Sequence, residues 1–156
     1  MVKLLFVCLG NICRSPSAEA VMNALIQKQN LSNRYSCDSA GTYGGHAGQR
    51  ADSRMQKHAV KRGYNLTSIS RKFIKSDFEN FDYIVAMDDS NYHNILSMDS
   101  SKNYHNKVFR MIDFCSDCTE GEVPDPYYGG AAGFENVLDI LEKSTVEFLD
   151  YLEKKS

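Results

Sequence analysis

The chain has 156 residues, of which 42% are hydrophobic and 24% charged, and a formal net charge of -2. That length fits one domain over residues 1–156 with a core large enough to need no disulfide or metal staple. The slight acidity argues against a nucleic-acid partner. No stretch approaches the roughly 18 apolar residues of a membrane span, and Gly10, Asn11 and Arg14 interrupt the apolar start, so a cytoplasmic protein without membrane insertion is expected.

Residues 2–8 (VKLLFVC) are nearly continuously apolar, the pattern of a parallel strand buried on both faces. Ala18, Val21, Met22, Leu25 and Ile26 then recur at helical spacing behind Pro16. YSCDSAG (35–41) reads as a second strand, and 52–62 as a helix ending near Gly63. FDYIVAM (81–87) reads as a third strand, followed by a helix over 90–98. KVFRMI (107–112) reads as a fourth strand. Phe134, Val137, Leu138, Leu141, Thr145, Phe148, Leu149 and Leu152 form the stripe of a long last helix. Strand and helix alternate, which predicts an α/β fold: a three-layer, doubly wound sandwich around a four-stranded parallel sheet. In such sheets ligands bind beyond the carboxyl ends of the strands, where Cys8 and Asp88 fall.

The segment Cys8, Leu9, Gly10, Asn11, Ile12, Cys13, Arg14, Ser15 joins the first strand to a helix N-terminus. Unpaired amides and the helix dipole favour an anion there. Gly10 and Asn11 tolerate left-handed backbone, which lets successive amides converge on one oxyanion. Arg14 can grip two phosphate oxygens while Cys8 lies in line with phosphorus. The same positive field suits an anionic sulfur nucleophile, and Ser15 is placed to donate a hydrogen bond to it. No GxxxxGK[ST] occurs, which excludes a nucleotide-binding Walker loop.

An oxygen leaving group needs a proton, and two carboxyls are candidates to supply it. Asp125 is bracketed by Pro124 and Pro126, and Asp88 ends the third strand. Tyr127 and Tyr128 follow Asp125 as aromatic walls of a substrate cleft, with Tyr43 and Ile12 as further lining. Cys115 and Cys118 form a CxxC without the further ligands of a zinc site, so they read as two loop thiols. No metal or organic cofactor is expected.

VCLGNICRSP (7–16) with the following SAEA, DSAG (38–41), FDYIVAMD (81–88) and PDPYYGG (124–130) resemble, in this order, segments of the low-molecular-weight protein tyrosine phosphatases. The resemblance spans essentially the whole chain. It implies a monomeric enzyme acting on phosphotyrosine-containing proteins and small aryl phosphates, with Cys8 forming a phosphocysteine, Arg14 binding the phosphoryl group and Asp125 as the acid. It also implies that Leu9, Gly10, Ile12 and Cys13 complete the loop, and that Asn11 is held by Ser15 and Ser39. The family's supporting histidine, ahead of an alanine-arginine pair, is missing here: the stretch is Ser68, Ile69, Ser70, Arg71, which leaves two expectations, a less rigid loop or Ser68 in the histidine's role. Other chemistries share the scaffold. An arsenate reductase would have to recruit Cys115 and Cys118 as a relay. A protein-arginine phosphatase carries threonine where Ile12 stands and lacks the tyrosine after Asp-Pro. A phosphoryl carrier or phosphopeptide-binding module would need no hydrolytic acid.

Overall fold

A computed structural model describes all 156 residues except the side chain of Tyr128. Four parallel strands form one sheet in the order β2 (Tyr35–Gly41), β1 (Val2–Cys8), β3 (Tyr83–Ala86), β4 (Val108–Arg110). The helices are α1 (Arg14–Lys28), α2 (Ser53–Lys61), the single-turn α3 (Asp77–Asn80), α4 (Asp89–Met98) and α5 (Gly130–Lys155).

β1 shows why its sequence is apolar at every position. Leu4, Phe6 and Cys8 face one layer, with Met22 of α1 and Leu141, Phe148 and Leu149 of α5. Leu5 and Val7 face the other, with Phe73, Phe78 and Ile95. Alternate side chains point to opposite faces of a strand, so a strand covered on both must be apolar throughout. Each large side chain buried in this way contributes roughly 1.5–3 kcal/mol. The predicted doubly wound sandwich is the observed fold. The predicted stripe of α5 is buried along its length.

β1 has β2 on one side and β3 on the other, so the chain's crossovers diverge at its carboxyl end. That is the switch point at which open α/β sheets bind ligands, and Cys8 stands there. A third cluster, Val21, Met55, Ala59, Leu66, Phe134 and Leu138, packs α2 against α1 and α5 beside it.

The differences from the sequence reading are local. β4 covers only Val108–Arg110, because 3-10 turns at His105–Lys107 and Met111–Phe114 take up both ends of the predicted strand. α4 begins at Asp89, where the Asp88 side chain accepts from the Asn91 N–H at 2.7 Å. Cys115 and Cys118 are not separate thiols. The turn formed when Cys118 N–H donates to the Cys115 carbonyl brings them together as a disulfide, their Cα atoms 5.4 Å apart. No helix is long and apolar enough to cross a membrane.

Candidate active site

The loop after β1 is shaped by what its carbonyls meet. Cys8 and Leu9 accept from the N–H groups of Thr42 and Tyr43 at 2.9 and 2.8 Å, and Ile12 accepts from Asp52 at 2.8 Å. The Gly10 carbonyl accepts from the Ser70 hydroxyl at 2.9 Å. With the carbonyls drawn outward, the amides turn inward, and among the described residues those of Leu9 to Cys13 donate to no protein acceptor. α1 adds an N-terminus without a side-chain cap. The result is a ring of donors suited to a tetrahedral oxyanion. Gly41 is required beside it, since a Cβ there would sit 2.7 Å from the Leu9 carbonyl oxygen and 3.1 Å from the Gly10 carbonyl carbon.

Asn11 makes the sharp bend, with φ of 57°. An ordinary residue pays roughly 1–2 kcal/mol for that conformation, and Asn is among the few that adopt it readily. Its amide donates to Ser15 Oγ at 2.8 Å, and its carbonyl oxygen accepts from the Arg71 N–H at 3.0 Å. Having accepted from Asn11, Ser15 keeps its own proton for Cys8 Sγ, 3.0 Å away, the Ala40 carbonyl being more distant at 3.4 Å. The expected bond between Ser39 and Asn11 is absent among the described residues. Ser39 instead donates to Glu19 at 2.6 Å, and its effect on the loop runs through β2 and α1.

Support from Ser68 is also corrected. It is Ser70, 4% exposed, that reaches the loop, and its backbone also accepts from Gly48 and donates to Gln49. A single serine therefore ties the loop to the segment forming one wall of the cleft. Ser70→Ala leaves the Gly10 carbonyl without that donor. We expect kcat/KM to fall about five- to tenfold, corresponding to roughly 1 kcal/mol, with Ser68→Ala unchanged. Steady-state kinetics of the two variants on one aryl phosphate checks this.

Arg14 is nearly enclosed, and its Nη1 donates to Asp88 Oδ2 at 2.6 Å and to the Val123 carbonyl at 3.1 Å. Burial opposes its charge, but Cys8 and then Asp88 more than offset this and hold the guanidinium above its usual pKa. Because Nη1 alone makes these bonds, Nη2 and Nε keep donors for a two-pronged grip on an oxyanion. Cys13 is different: burial, then Asp52 and Cys8, push its thiol up to about 12, so it stays protonated beside Cys8.

Cys8, Leu9, Gly10, Ile12, Cys13 and Arg14 floor a cleft of about 790 Å³ whose walls include Tyr43, Asp125 and Tyr127. Asp125 caps the turn Pro126–Tyr128, its Oδ1 accepting from the Tyr127 N–H at 2.9 Å. Asp88, the rival acid, spends one oxygen on Arg14 and the other on Asn91. Tyr128 belongs to the same turn, and its side chain lies outside the described residues. The sequence reading missed seven lining residues, at positions 46 and 49–54, and three of them make contacts that shape the cleft. His46 stands over Gly10, Asp52 caps α2, and Arg54 pairs with Asp52 while lying 5.2 Å from the Tyr127 ring. Nothing local marks them, because the contacts join segments far apart in sequence.

Comparison with known proteins agrees with this geometry. Residues 3–156 match the family model described as low molecular weight phosphotyrosine protein phosphatase. A crystal structure of a protein tyrosine phosphatase from Entamoeba histolytica superposes with a TM-score of 0.97 at 54% identity, covering 99% of each chain. A putative low molecular weight protein-tyrosine-phosphatase from Synechocystis is 50% identical over 99% of this chain and 98% of its own. The structure of a Drosophila arginine phosphatase is also similar, with a TM-score of 0.90 and 32% identity over 97% of this chain and 98% of that one. The chain belongs to the low molecular weight phosphotyrosine protein phosphatase family.

Proposed function

We propose that residues 1–156 act as one catalytic domain that hydrolyses protein phosphotyrosine and small aryl phosphate monoesters through a phosphocysteine intermediate. The observation carrying this reading is the convergence of Cys8 Sγ, the inward amides of its loop, Arg14 and Asp125 on one cleft. The phosphoryl oxygens take up the loop amides and the free nitrogens of Arg14, which stabilise the charge spread over them in the transition state. Cys8 sulfur forms a bond to phosphorus as the bond to the tyrosyl oxygen breaks, and Asp125 gives that oxygen its proton. Water then attacks the phosphocysteine, Asp125 takes its proton, and Cys8 leaves as a thiolate supported by the Ser15 hydroxyl.

The likeness to an arginine phosphatase raises a second reading, and Ile12 argues against it. Ile12, Tyr43 and Tyr127 all line the cleft, an apolar and aromatic set suited to a phenyl ring. Losing a contact of methylene size there is worth about 1–3 kcal/mol. Ile12→Thr is therefore expected to lower the ratio of tyrosyl to arginyl phosphate hydrolysis at least about fivefold. An unchanged ratio refutes the role given to Ile12, and a wild-type enzyme that prefers arginyl phosphate refutes the phosphotyrosine assignment.

The arsenate reductase reading fares poorly on position. The Cys115–Cys118 segment contacts Lys143 and Glu147 through Asp117 and Ser116. Neither cysteine lines the cleft that holds Cys8, and the two are joined to each other as a disulfide.

A further inference from the structure

The segment from Arg50 to Arg62 carries five Lys or Arg residues and one Asp, in a chain whose net charge is -2. Part of that charge is already spent. Asp52 pairs with Arg54, and Glu135, Asp139 and Glu142 of α5 hold Arg62, with Glu135 also taking His58. Arg50, Lys57 and Lys61 have no ion-pair partner among the described residues, and all three are exposed.

Their placement is directional. Arg50 and Arg54 stand at the mouth of the catalytic cleft. A shallow groove of about 600 Å³, lined by Lys57, Val60 and Lys61, continues from it and shares Ser53 and Arg54 with it. Residues 54, 57 and 61 recur at intervals of three and four and so lie along one face of α2. From Arg54 to Lys61 the helix rises roughly 10 Å, the span of about three residues of extended peptide. Val60, 58% exposed, gives this basic track an apolar contact.

We infer that α2 is a docking track for acidic residues flanking the phosphotyrosine, so that the preferred substrates are phosphotyrosine segments with Asp or Glu on one side. The inference rests on the phosphotyrosine reading above and adds the substrate class. An acidic segment leaving the cleft along α2 meets Lys57 and Lys61 in turn. Such exposed charges act mainly on encounter and KM.

Three synthetic phosphotyrosine peptides test it: one with three Glu before the phosphotyrosine, one with three Glu after it, and one with Gln in both places. At low ionic strength one acidic peptide should exceed the Gln peptide about three- to tenfold in kcat/KM, through KM. The advantage should fade near about 0.5 M salt. The exposed double variants Lys57→Gln/Lys61→Gln and Lys57→Glu/Lys61→Glu should respectively lose and reverse the preference, while p-nitrophenyl phosphate, too short to reach α2, is hydrolysed as by wild type. Equal kcat/KM for the three peptides, a preference that survives both variants, or a matching loss on p-nitrophenyl phosphate overturns the inference alone. Failure to hydrolyse any of the peptides removes the phosphotyrosine reading and this inference with it.

Discussion

Cys8→Ser should bind inorganic phosphate and turn nothing over. The hydroxyl that replaces the sulfur is not ionised near neutral pH, so no nucleophile faces phosphorus. Removing a nucleophile of this kind costs at least about 10⁴-fold in kcat. The loop should survive, because its shape depends on donors from Thr42, Tyr43, Asp52, Ser70 and Arg71 and not on the sulfur. Phosphate affinity by calorimetry, together with an unshifted thermal melt, separates lost chemistry from lost folding. Hydrolysis at near the wild-type rate would end the covalent mechanism.

Asp125→Asn should be selective in its damage. Tyrosyl phosphate releases a basic oxygen and is expected to lose about 10²–10⁴-fold, the range for removal of a general acid. A nitrophenyl ester releases an oxygen that needs little protonation and should lose far less. The amide keeps the cap on the Tyr127 N–H, because the side-chain carbonyl can accept the bond now made by Oδ1. A plot of log kcat against leaving-group pKa should therefore steepen in the variant. Parallel plots would move the acid to another group. Asp88 is poorly placed for that role: both of its oxygens are engaged, and replacing it would first disturb Arg14, which it holds at 2.6 Å.

Legibility of the fold in the sequence followed the range of the interactions involved. β1 and β2 have the predicted bounds, since burial on both faces leaves a continuous apolar record in β1 and the glycine ending β2 marks the approach of the loop. The four-residue α3 was missed because a single turn is too short to show the i, i+3, i+4, i+7 recurrence of a helix. The order β2-β1-β3-β4 is not written in any single segment. At the site, Cys8 and Arg14 could be proposed from local signals, the loop and the helix start, whereas the preference for Asp125 over Asp88 rested on the family resemblance of PDPYYGG. The choice of Ser70 over Ser68, the turn of Ser39 toward Glu19 and the placing of His46 depend on partners brought together only by the sheet.

The outward anchoring of the loop carbonyls also bears on how the chain folds. The donors belong to residues 42–43, 52 and 70, so β1, its loop and α1 cannot form the cradle as an isolated fragment. β2, the start of α2 and the strap at 69–71 must dock first, each closing a chain segment of over thirty residues. Contacts of such sequence separation are entropically late in folding. Anion affinity is then a property of the completed molecule and is absent from its precursors, so bound phosphate draws the folding equilibrium toward the native state by mass action.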